Sequence, residues 1–188
     1  LQRGARAGGS GVGSRIPRLA SVAMASFASA KILLRVSKAP KALVDSWREA
    51  RRLEDESGRN LRDLLDRATA DRVRLAEALL KDARKLLKPG SKMFRASVSR
   101  SYYSMYHAMR AASFYAHGGD DHQEHRVLPT KAPPDMADRD VWSNKLKDAR
   151  ERRNAADYDP YPMSETAFFA VAEGLVGDAR GLLIHVRD

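Results

Sequence analysis

Between residues 94 and 116 the apolar side chains Phe94, Val98, Tyr102, Met105, Met109, Ala112 and Ala116 recur at steps of four, four, three, four, three and four. That spacing returns each of them to one face of an α-helix and is incompatible with the two-residue alternation of a strand. Ser91 is the expected N-cap, and Gly118-Gly119 the C-terminal stop. A helix with so long an apolar face must be covered by other elements.

The same period recurs on both sides. Leu43, Trp47 and Ala50 space a short helix that Ser57-Gly58 closes. A second helix starts at Asn60, with Asp63 three residues on as a capping partner. Its stripe reads Leu61, Leu64, Leu65, Ala68, Leu75, Leu79, Ala83, Leu86; Thr69 marks a point of restart, and Pro89-Gly90 ends it. After Gly119 come about twenty residues, rich in proline and without a period, a length associated with functional or mobile loops. Trp142, Leu146 and Ala149 begin the next seam, whose continuation falls on Arg153 and Ala156 before Pro160 and Pro162 forbid further helix. Ser164 and Glu165 open a last helix with Phe168, Ala172, Leu175, Ala179, Leu182 and Val186 on one side. No strand signal appears. The expectation is an all-α, antiparallel four- to five-helix bundle over residues 41–188.

Composition removes several alternatives. The chain has no cysteine, which excludes disulfides, thiol nucleophiles and cysteine-based zinc sites. No apolar run approaches the ~18 residues of a membrane span, so no membrane association is expected and the cytoplasm is the default location. The net charge of +10 is concentrated in a leader. Residues 1–44 carry eight basic side chains and no acid, whereas the rest carries 26 basic and 24 acidic. Residues 1–40, rich in Gly, Ala, Ser and Arg, are read as a leader outside the fold: non-native upstream sequence, a disordered basic arm, or a transit-like segment.

Few side chains offer chemistry. No phosphate-binding glycine loop follows a strand, and no HExxH occurs. His122 and His125 stand near Asp120, Asp121 and Glu124, but loop histidines beside acids are ordinarily solvated, so neither a metal nor a cofactor is assigned. Arg100, Tyr103, His107 and Arg110 step by three, four and three along the flank of the main apolar face. They form either a phosphate- or RNA-binding stripe or a core margin whose arginines reach outwards. Arg153 is the odd residue: a guanidinium on an inner seam is costly unless paired. Asp157, one turn later, is the partner within reach.

Four segments in order, SRSYYSMYHAMRAASFYAHGG at 99–119, HR at 125–126, RERRNAADYDPYP at 150–162 and AVAEGLVGDARGLL at 170–183, resemble a HEPN domain. The similarity covers about residues 68–188 and is nearest to small stand-alone proteins of bacteria and archaea that pair with a minimal nucleotidyltransferase. It implies a helical bundle acting as a homodimer on RNA or a nucleotide, in a toxin–antitoxin or defence setting, with a nucleotidyltransferase-type antitoxin as partner. Many members are metal-independent ribonucleases in which an arginine holds the scissile phosphate and a histidine moves the proton of the 2′-hydroxyl. Arg153 and Asn154 fit the first positions of that R-x(4–6)-H pattern, but Tyr158 stands where the four-residue spacing puts histidine, and no histidine lies between 154 and 159. A phenol of pKa about 10 is a poor base near neutrality. His107 or His125 is therefore the candidate replacement, with Arg100, Tyr103, Arg110 and Arg126 as phosphate or RNA contacts and Asp157 and Tyr158 in support. The alternative is a non-catalytic nucleotide-binding or docking module.

Overall fold

The computed structural model describes residues 30–88 and 90–187. The leader up to residue 29 lies outside them. Six α-helices and no strand occur among the described residues: α1 (Ala30–Ser37), α2 (Lys41–Ser57), α3 (Leu61–Leu87), α4 (Phe94–His117), α5 (Arg139–Tyr158) and α6 (Phe169–Arg187). Short 3-10 turns fill Leu128–Lys131 and Glu165–Phe168. The chain divides into two compact units between Glu49 and Ala50.

In the first unit, α1 forms where the sequence reading placed only leader. The helix around Leu43 and Trp47 also forms, but no residue of α2 is buried, and both of these side chains are exposed. Its apolar spacing therefore does not mark a core element. The buried core is drawn from residues between Ala76 and Leu183 in the second unit.

There, α3 to α6 pack as the expected bundle, successive helices running antiparallel. Asn60 caps α3 by accepting from the Asp63 amide at 2.8 Å, and its side-chain amide donates to the Asp63 carboxylate. Thr69 causes no break; its hydroxyl bonds back to the Leu65 carbonyl. The inward face of α3 agrees with the expected one only in part: Ala83 is buried as its spacing requires. Leu75 is exposed, and the buried residues are Ala76, Leu80 and Ala83. The reason is the surface it meets. Ser97 and Ser104 of α4 donate to the Ala83 and Ala76 carbonyls at 2.9 and 2.8 Å, which requires the two helices to approach closely over small residues. Leucine at those two contact points would hold the backbones apart.

α4 occupies the centre. Phe94, Val98, Tyr102, Met105 and Met109 are buried as their spacing requires, and Ser97, Ser101, Ser104, Ala108 and Ala111 are buried on its other side. Ala116, at the end of the expected stripe, is exposed. The helix starts at Phe94 after Met93; Ser91 instead donates to the Leu86 and Lys88 carbonyls, closing α3 rather than capping α4. Gly118, at φ 72°, supplies the left-handed stop.

The long 118–138 connection is packed. Leu128, Pro129 and Ala132 are buried, and Ser113 donates to the Lys131 carbonyl at 2.8 Å. α5 then lies against α6 so closely that a β-carbon on Gly181 would sit 2.7 Å from the Trp142 ring. Lys145 and Asp178 pair across the same seam at 2.7 Å. Ala172, Leu175, Ala179 and Leu182 of α6 complete the core.

Candidate functional site

α5 carries Trp142, Leu146 and Ala149 into the core, and the next inward position is Arg153, half-buried as the spacing requires. Its guanidinium donates to the Tyr103 hydroxyl of α4 at 2.6 Å and to the Asn154 side-chain oxygen at 3.0 Å. Its Nε lies 2.8 Å from Asp157 Oδ2, an ionic contact without the alignment of a hydrogen bond. The rings of Tyr103 and Tyr158 lie 5.2 and 5.3 Å from the guanidinium carbon. Burial works against this charge, but Tyr103, Asp157 and Tyr158 outweigh it, and the arginine is held more firmly protonated than usual. Tyr158 itself is exposed, and Asp157 also accepts weakly from Ser99.

Three tyrosines of α4 connect Arg153 to a histidine. Tyr102 is fully buried, and its hydroxyl is hydrogen-bonded to His125 Nδ1. His125 stacks on Tyr106 with centroids 4.3 Å apart and meets Tyr103 edge-on at 6.0 Å. His125 is an exposed loop residue whose ring is covered on one side by the three tyrosines. Burial, followed by the charges of Arg153, Arg150 and Arg110, lowers its pKa below the ordinary histidine value. Burial also pushes the Tyr102 phenol well above its usual range, against the opposing pull of Arg153. Of the two histidines considered from sequence, His125 is therefore the one whose ring bonds and packs with the tyrosines that hold Arg153.

His107 lies on the far side of Tyr106, edge-on at 5.1 Å. Its Nδ1 is sealed from water without a partner, and burial, then Arg110, Arg72 and His125, lower its pKa. Arg110 is engaged elsewhere. Its Nε donates to Asp120 Oδ1 at 2.7 Å and its Nη2 to the other oxygen, while Arg72 of α3 reaches the same carboxylate at 3.0 Å. The hydrogen bonds from Arg110, ahead of the opposing effect of burial, hold Asp120 below the usual carboxylate range. Arg100 and Arg126 are exposed and make no hydrogen bond or ion pair among the described residues.

No group of three or more histidines and acids among the described residues is placed to hold a metal ion. His122 packs edge-on against His117 at 5.4 Å, whereas His125 turns to the tyrosines.

Several participants escaped the sequence reading. Tyr102 sits in the apolar stripe, where only its hydroxyl signals a polar partner. Arg150, Arg72 and Asp120 have no sequence signal that separates them from surface charges. Arg95 has none either, yet its guanidinium donates to the carbonyls of Ala156 (2.9 Å), Asp159 (2.8 Å) and Pro162, lies 4.2 Å over Phe168, and fixes the turn that follows the site.

The arrangement offers a firmly charged guanidinium, a neutral imidazole on the adjoining tyrosines and a frame of aromatic rings. No curated protein matches the chain. A family model described as the HEPN domain matches residues 69–186, which takes in α4, α5, nearly all of α6 and most of α3, and the chain belongs to the HEPN domain family.

Proposed function

We propose that the protein binds single-stranded RNA and cleaves it without a metal, Arg153 holding the scissile phosphate and His125 serving as the displaced acid–base group. The observation carrying this reading is the Tyr102–Tyr103 pair, one hydroxyl bonded to His125 and the other to Arg153. A neutral imidazole is the form a general base requires, and its lowered pKa keeps it so near neutrality. With Nδ1–H donating to the Tyr102 oxygen, Nε2 presents its lone pair to a 2′-hydroxyl. The 2′-oxygen then attacks phosphorus, the bond to the 5′-oxygen breaks, and water protonates the leaving oxygen, giving a 2′,3′-cyclic phosphate and a 5′-hydroxyl. Exposed Tyr158 and Asn154 border the guanidinium and suit a stacked base and a sugar hydroxyl. A homodimer in a toxin–antitoxin or defence setting, restrained by a nucleotidyltransferase-type partner, is the biological form of this proposal.

One observation favours a second reading. Asp157 already neutralises Arg153, as it would in a non-catalytic module whose ion pairs only hold the helices and whose surface docks a partner.

The test is cleavage of a labelled RNA in excess chelator by the parent, Arg153→Ala and His125→Ala. Loss of cleavage in both variants, with His107→Ala still active, supports the proposed roles. Absence of cleavage by the parent, or full activity in His125→Ala, refutes them.

A further inference from the structure

Arg150 stands one helical turn before Arg153, half-buried on the same side of α5. The two guanidiniums differ in what they touch. Arg153 has a phenol, an amide oxygen and a carboxylate. Arg150 makes no hydrogen bond or ion pair among the described residues, and its Nε is sealed from water without an acceptor. A dehydrated donor with nothing to donate to is rare in folded proteins and is costly to keep. Its charge is felt at both the His125 imidazole and the Tyr102 phenol, placing it with the tyrosine–histidine group.

We propose that Arg150 is a second phosphate ligand of the RNA site beside Arg153, its guanidinium left without a protein acceptor so that a phosphate oxygen can supply one. This rests on the RNA-binding reading above and adds a phosphate contact one helical turn from the one that Arg153 makes. Because Nε has already lost its water, a phosphate that engages this guanidinium has less hydration to displace than at an exposed arginine. Exposed Arg100 and Arg126 lack that advantage.

Binding of a 2′-O-methyl oligoribonucleotide, which lacks the attacking hydroxyl and so is not cleaved, separates the possibilities. The comparison is between the parent, Arg150→Met and Arg153→Ala, with thermal melting measured on each. Methionine keeps the apolar stem of Arg150 and removes the charge. The expected result is affinity weaker by about 10- to 100-fold for Arg150→Met. Its dependence of log affinity on log salt should be shallower by about 0.7, and its melting temperature unchanged or raised. Arg150→Met binding like the parent, with Arg153→Ala weakened, overturns this inference and leaves the RNA reading standing. A melting temperature that falls in Arg150→Met also overturns it, because the arginine is then a packing element. A parent that binds no oligoribonucleotide removes the RNA reading and this inference together.

Discussion

Arg153 of α5 donates to the Tyr103 hydroxyl of α4 across 2.6 Å while its other edge meets Asp157 at 2.8 Å, so one side chain joins two helices and the last turn of its own. Removing it strands a phenol and a carboxylate that are both largely shielded. Arg153→Ala should cost about 1–3 kcal/mol of stability. Arg153→Lys should recover only part, because an ammonium does not reproduce the planar fork. Urea denaturation of the three proteins checks both statements.

Acidification should destabilise the fold. The pKa values of His107 and His125 are lowered in the folded chain, chiefly by burial. The unfolded chain therefore takes up protons first as pH falls through the ordinary histidine value of ~6.5. Stability is complete above that value and declines below it toward the folded pKa values. Melting temperatures between about pH 7.5 and about pH 5.5 should fall for the parent and fall less for a His107→Gln, His125→Gln double variant. Any RNA cleavage should keep its activity to lower pH than a solvent-exposed histidine permits.

Among the described residues, Asp120 is the one carboxylate joining Arg72 of α3 and Arg110 of α4 to the 118–138 connection. Asp120→Ala should destabilise by about 1–3 kcal/mol, since two half-buried guanidiniums lose their shared carboxylate together and Arg110 keeps only the Gln123 side-chain oxygen at 3.2 Å. The added change should be local: faster proteolysis or amide exchange at residues 119–127, with α5 and α6 unaffected.

Gly181 permits the close approach of α6 to Trp142. Gly181→Ala puts a methyl group 2.7 Å from the ring and forces the helices apart or the indole out of place. The overpacking should cost about 1–3 kcal/mol, with a shift in Trp142 emission; Gly177→Ala, which meets nothing within 4 Å, should stabilise the helix or leave it unchanged.

The bundle was legible because its central helix, α4, repeats its apolar residues without interruption, and Arg153 was legible as an exception to such a repeat. What failed had a shared cause. The apolar stripe expected for α3 includes Ala83 but misses Ala76, because the seam is set by Ser97 and Ser104 on another helix, which bond to the carbonyls of both. Ser91 looks like a cap in one dimension and closes the preceding helix in three. The likeness to a catalytic arginine–histidine pair could be tested within α5, and there it ends in Tyr158. In the proposed function the imidazole is instead that of His125 in the 118–138 connection, twenty-eight residues before Arg153, held by a tyrosine that lies in the hydrophobic pattern. Arg150 could not be singled out, because an absent partner is a property of the folded surroundings.

Arg95 gathers three carbonyls from the end of α5 and the turn beyond it, and its own amide donates to Glu165 at 3.0 Å. The segment 156–165 is thereby measured against one side chain, like a strap cut to a single length. One residue added or removed between Asp159 and Pro162 would displace an acceptor from that grip, and the slack would appear at Tyr158 and Asp157, the two neighbours that hold Arg153 in place.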